Sequence, residues 1–155
     1  MRLAAVTLSV NNPDEPVRLT KEQLFRGLLA KARDPTQSIH VIVRCDILDT
    51  FPTGLRCEVE LADRPGAVHE MFEFFPPSKV VSTMTSPSTA ERLAQITNVI
   101  SATQEGEMLL IFTFAWGGNG ELDVGEEAGP LDWNGRVRLL DLRACVGHWM
   151  RSAEW

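Results

Sequence analysis

Glu70 is the residue whose setting most suggests chemistry. In the stretch Val68–Phe75, Val68, Glu70, Phe72 and Phe74 share one face, and His69, Met71 and Glu73 take the other. That follows because successive side chains of a strand point to opposite sides. A carboxylate among apolar neighbours is costly unless it is paired, hydrogen-bonded or protonated. Loss of water raises its pKa towards the range useful for proton transfer. The alternative is a structural ion pair with Arg56 or Arg44. On Leu93–Thr103 the same parity groups Ala94, Ile96, Asn98 and Ile100. Asn98 thus offers a neutral donor and acceptor to the same interior, where it either orients a carbonyl or enol oxygen or satisfies buried backbone. His148 is the third candidate, on an apolar stripe of a helix expected over Arg136–Trp155. It is either a proton carrier or a satisfied core histidine.

Other chemistries lack their residues. No HxH, HExxH or clustered carboxylate set is present, so no metal site is expected. No GxGxxG or P-loop occurs, and Gly117-Gly118-Asn119-Gly120 lacks the lysine and following helix that phosphate binding needs. Cys145 and His148 have no evident orienting acid, so a nucleophile dyad is not supported. Tyrosine is absent altogether, which removes a common phenolic acid. The expected chemistry therefore uses no cofactor.

The wall of such a site comes from Glu107–Trp116. Met108, Leu110, Phe112, Phe114 and Trp116 alternate with Leu109, Ile111, Thr113 and Ala115, so the large groups face one way and the other face is expected to be more exposed. These aromatics either fill a core or line a cavity. Phe72, Phe74, Leu110, Phe112, Phe114 and Trp116, with Leu140 and Ala144 of the last helix, are the candidate ligand-contacting residues.

Further elements follow in chain order. Leu3–Val10 reads as a first strand, ended by Asn11–Pro16 with two prolines. Thr20 caps a helix, with Gln23 completing a capping box. Leu24, Phe25, Leu28, Leu29 and Ala32 recur at helical spacing up to about Arg33, and Asp34-Pro35 stops the run. Strands are expected over Ile39–Leu48, Leu55–Leu61, Val68–Phe75, Lys79–Thr85 and Leu93–Thr103. A glycine-rich acidic loop, 117–135, precedes the last helix, which is apolar over a wide arc and expected to lie across the sheet. Six or seven strands joined by short connections give an α+β fold, a largely antiparallel, curved sheet.

The chain of 155 residues suits one domain, spanning 1–155, with 44% hydrophobic and 23% charged residues. A formal charge of −6 without a basic cluster argues against nucleic acid or an anionic membrane as partner. Three cysteines without a CxxC read as free thiols in a reducing compartment. Leu3–Val10 is too short for a signal-peptide core, and no run approaches the ~20 apolar residues needed to span a bilayer. A cytoplasmic protein is expected, working as one chain or as a homodimer.

Certain pieces also carry a resemblance. They are Leu19-Thr20-Lys21-Glu22-Gln23-Leu24-Phe25-Arg26-Gly27-Leu28 with Asp34-Pro35, Gly54-Leu55-Arg56-Cys57-Glu58-Val59, and Val68-His69-Glu70. Phe74 before Pro76-Pro77, Thr97-Asn98, and Phe112-Thr113-Phe114-Ala115-Trp116 complete the set. In this order they resemble the START/polyketide-cyclase/birch-allergen superfamily (SRPBCC, the helix-grip fold). Within it they are most similar to a small fungal and bacterial family, some members of which lie beside secondary-metabolite synthases. The resemblance implies a hydrophobic cavity between the sheet and a long C-terminal helix. Fold alone does not fix a reaction.

Three functions fit these residues. One is a cofactor-independent enzyme of secondary metabolism that cyclises, isomerises or dehydrates a hydrophobic polyketide-like or mixed substrate. There Glu70 moves the proton and Asn98 or His148 stabilises oxygen. Another is a carrier for a hydrophobic small molecule, with Glu70 as a polar anchor. The third is an interaction protein whose aromatics are plain core.

Overall fold

The computed structural model describes residues 2–14, 17–62 and 65–116. They form one seven-stranded, wholly antiparallel sheet in the order β1-β7-β6-β5-β4-β3-β2. The strands are β1 (Arg2–Ser9), β2 (Ile42–Phe51), β3 (Gly54–Leu61), β4 (Ala67–Phe75), β5 (Lys79–Thr85), β6 (Arg92–Ala102) and β7 (Met108–Trp116). One helix, α1 (Lys21–Arg33), and a 3-10 turn at Pro35–Gln37 separate β1 from β2. The helix expected over Arg136–Trp155 and the loop 117–135 lie outside the described residues.

α1 is set by its ends and its stripe. Thr20 Oγ1 accepts from the Gln23 backbone N–H at 3.2 Å, and Gln23 Oε1 accepts from the Thr20 N–H at 2.8 Å, closing the capping box. Upstream, Asn11 holds both backbone groups of Leu19: Oδ1 takes its N–H at 2.8 Å and Nδ2 donates to its carbonyl at 3.0 Å. This clamp ties the end of β1 to the start of α1. Leu24, Phe25, Leu28 and Ala32 are buried on one side of the helix, which packs over β5 and β6. Thr20→Ala is expected to cost about 1 kcal/mol, read as a lower urea midpoint at unchanged slope.

The strands are amphipathic as their alternation dictates. Val6, Leu8, Leu55, Cys57, Val59, Val68, Phe72, Val80, Ile100, Leu110, Phe112 and Phe114 form one buried cluster with α1. On the outer face Arg44 reaches Asp46 at 3.4 Å, Glu58 at 3.1 Å and Glu60 at 2.9 Å. Arg56 is likewise exposed. Neither arginine swings inward to Glu70, so the ion-pair alternative for that residue does not hold.

Leu109, Ile111, Thr113 and Ala115 are half-buried, more exposed than Leu110, Phe112 and Phe114 as expected, on an interior strand flanked by β1 and β6. One detail differs from the sequence expectation. β2 begins at Ile42 and runs on to Phe51, and as an edge strand with two register shifts it leaves Val43, Ile47 and Leu48 substantially exposed. The β2–β3 turn closes tightly at Gly54, where a Cβ would lie 2.0 Å from the Phe72 carbonyl oxygen and 2.6 Å from the Phe51 ring. The backbone oxygen cannot yield as a side chain would. Gly54→Ala should therefore destabilise by at least about 1–3 kcal/mol, with lower thermal and urea midpoints.

Candidate functional site

Among the described residues, the inner face carries three buried polar residues, Glu70, Ser82 and Asn98, exposed by only 4%, 2% and 6%. Register explains their placement. Glu70 stands directly opposite Cys57 of β3 and Met84 of β5. Asn98 stands opposite Val80 of β5 and Phe112 of β7. Ser82 is two residues from Met84 on one side and from Val80 on the other, so it lies diagonally between the two. The side chains make a polar diagonal across β4, β5 and β6, set in an otherwise apolar face.

Only one link of that diagonal is closed. Ser82 Oγ donates a short hydrogen bond to Glu70 Oε1. Glu70 Oε2 and Asn98 Oδ1 are buried and have no hydrogen-bond partner among the described residues. Burial pushes the Glu70 carboxyl above its ordinary value, while the Ser82 hydrogen bond and the charge of Lys31 pull the other way. The balance remains upward. Glu70 is thus poised to hold a proton to a higher pH than a surface glutamate, as a general acid or base requires.

The sequence reading missed Lys31 and Ser82. Lys31 continues the stripe Leu24–Leu28–Lys31 at steps of four and three residues, so α1 turns it towards the sheet. Its ammonium sits 5.6 Å from the centre of the Phe112 ring, within cation–π range. The helical spacing was a sufficient signal, but a lysine on an apolar stripe is easily read as a stripe end. Ser82 was equally accessible by parity, alternating with Val80 and Met84 on β5.

The large side chains of β7 lie on the inner face. Phe112 and Phe114 are buried and stacked, their ring centres 6.3 Å apart at 9°. Leu110 and Phe72 are buried, and Phe74 is half-buried. The side chain of Trp116, together with Leu140, Ala144 and His148, lies outside the described residues. Beside Glu70, Cys57 donates to the Glu70 backbone carbonyl at 3.7 Å and shares a thiol hydrogen bond with Cys45. Burial and the nearby Glu70 charge push the Cys57 thiol up, which disfavours a thiolate nucleophile. Among the described residues no three His, Cys, Asp or Glu side chains converge as a metal site. No described helix is long and apolar enough to cross a membrane.

This architecture is shared with known structures. The aromatase/cyclase Zhui from Streptomyces sp. R1128 superposes with a TM-score of 0.59 at 13% identity, over 97% of this chain and 93% of that one. Ara h 8.0201 gives 0.54 at 13% identity, over 97% and 100%. The di-domain aromatase/cyclase BexL of the BE-7585A biosynthetic pathway gives 0.57 at 14% identity, over 99% of this chain and half of its own. The fold is therefore of the helix-grip kind. The chain belongs to the AtaL family, acetylaranotin biosynthesis cluster protein L, whose sequence profile matches residues 4–132. A comparison with curated proteins gives no match.

Proposed function

We propose that this protein is a cofactor-independent enzyme of secondary metabolism that encloses a hydrophobic, polyketide-like or mixed substrate against the inner face and promotes its cyclisation, isomerisation or dehydration. The observation that carries this reading is Glu70: a carboxyl 4% exposed, anchored through one oxygen by Ser82, with its other oxygen unpartnered among the described residues. A positioned, desolvated carboxyl can take a proton from the carbon beside a carbonyl and return it to a leaving hydroxyl. Asn98 and Lys31 supply hydrogen-bonding and positive groups for the oxygen that gains charge. Phe72, Phe74, Phe112 and Phe114 hold the carbon skeleton, which provides proximity and orientation. Trp116, Leu140, Ala144 and His148 are proposed to complete the enclosure from the remainder of the single domain. Fold likeness to aromatase/cyclases and membership of a biosynthesis-cluster family support the reading.

A carrier without a chemical step is the second reading, favoured by the Phe112–Phe114 wall, which would hold an apolar ligand without proton transfer. Native mass spectrometry of the purified protein, followed by incubation of the identified ligand with fresh protein, separates the two. The enzyme reading expects a co-purifying apolar molecule that is converted to an isomer or dehydrated product. A ligand returned unchanged, with exchange in and out, would establish the carrier instead.

A further inference from the structure

Two oxygens on the inner face lack a partner, and the sheet sets their spacing. Asn98 Oδ1 and Glu70 Oε2 are both buried without a hydrogen bond among the described residues. An unpaired buried polar atom costs stability, so a ligand group that pairs with it is favoured there. The two belong to different strands. Glu70 on β4 is two residues from Phe72, which stands opposite Ser82 of β5, and Asn98 on β6 is two residues from Ile96, which stands opposite the same serine. The Ser82 hydroxyl holds Glu70 Oε1. It thereby draws the carboxyl to within one diagonal step of Asn98, roughly 7–8 Å in the backbone. A fused two-ring body covers that span.

The group that fits follows from the two oxygens. A ketone or ester oxygen only accepts, so it leaves Asn98 Oδ1 as it is. An N–H donor meets Asn98 Oδ1, but it meets Glu70 Oε2 only when that carboxyl is ionised. A hydroxyl both donates and accepts, so it meets Glu70 Oε2 with or without a proton, and Asn98 by either end of the amide. Around these two points the face is apolar: buried Val80 and Phe112 stand directly opposite Asn98, and Phe112 stacks on Phe114.

We infer that the inner face selects planar apolar ligands bearing two hydroxyl groups, enolic or phenolic, at opposite ends of one ring system, one paired with the Asn98 amide and the other with the free oxygen of Glu70. This rests on reading the inner face as a binding site, and it adds a hydrogen-bonding requirement that an apolar shape alone would not impose. Asn98 thereby becomes a specificity-determining residue, and the keto form of a substrate binds less well than its enol.

Probes with one body and different substituents test this: 2-fluoronaphthalene, 2-naphthol and 2,6-dihydroxynaphthalene, titrated calorimetrically into the full chain. Fluorine fills nearly the space of a hydroxyl but donates no hydrogen bond. The naphthol should bind about fivefold more tightly than the fluoro compound, the scale of one neutral hydrogen bond, and the diol about fivefold more tightly again. Asn98→Leu and Glu70→Leu should each bring the diol down to the level of the naphthol. The double variant should bring all the probes within about twofold of one another. A diol that binds no more tightly than the naphthol, or a preference that survives both substitutions, overturns the inference while leaving the binding site intact. Failure of every probe to bind overturns the inference and the binding-site reading together. Thermal unfolding checks that each variant is folded, and because each substitution removes its own step, either one alone decides.

Discussion

Glu70→Gln is expected to make the protein more stable at neutral pH and far less active. The two effects share one cause. Burial raises the Glu70 pKa in the folded state above its ordinary 4.5, so the native protein holds this proton longer than the unfolded chain does. A group shifted upward contributes stability that is fully present below the unfolded pKa and is lost as the pH rises through the folded value. The wild type should therefore lose stability progressively above about pH 4.5, and the loss should level off once Glu70 is ionised in the native state. Glutamine resembles the neutral acid in shape and can still accept from Ser82, so the variant lacks this component of the pH dependence. Urea midpoints measured from acid to neutral pH should coincide at the acid end and separate in favour of Glu70→Gln above it. Turnover should fall by roughly 10²–10⁴-fold, the usual contribution of a positioned acid or base. A variant less stable than the wild type at neutral pH would mean instead that the attraction between Lys31 and an ionised Glu70 outweighs the desolvation cost.

Phe112→Ala is expected to have the largest effect on stability. The ring is 1% exposed, stacks on Phe114 and lies under the Lys31 ammonium. Truncating it removes buried area and leaves a hole in the middle of the sheet that flanking strands cannot close. The cost should be about 3–5 kcal/mol, a large part of the ~5–15 kcal/mol that holds a typical domain together. A guanidinium titration should show the midpoint falling with the slope unchanged. Phe112→Leu, close to volume-conserving, should recover most of the loss and remain within about 1.5 kcal/mol of the wild type. A small effect of the alanine change would mean that the neighbouring side chains move in to fill the vacated volume.

Much of this arrangement is legible in local pattern. The capping box at Thr20 and Gln23 is a short-range chemical device, and the helix begins and ends where those residues and Asp34-Pro35 dictate. β3 through β7 alternate cleanly enough that Glu70 and Asn98 could be assigned to the inner face before any coordinates, and both are buried there. Periodicity says which way a side chain points, but not what it meets. The partner of Glu70 depends on the β4–β5 register, so Ser82 emerges only when Glu70 is aligned with Met84. Spacing puts Lys31 on the inward stripe of α1, but what it meets there depends on how α1 is laid over β5 and β6. β2 misleads for a similar reason. Its branched residues look like core, yet an edge strand has one neighbour and leaves Val43 58% exposed.

The pairing of β1 with β7 bears on how the chain is made. Ser9 lies opposite Leu109, whereas every other strand pairs with its neighbour in sequence. At about 5–20 residues per second, a ribosome adds β7 some 5–20 s after β1. During that interval β2 to β6 can zip together through local hairpins, but Val6 and Leu8 have no strand to dock on. Closing so long a loop slows the last step of folding relative to the meander that precedes it. Newly made chains therefore pass through a state with an unpaired apolar N-terminal segment, and chaperone demand and inclusion-body formation on overexpression should depend more on the composition of β1 than on any residue near Glu70.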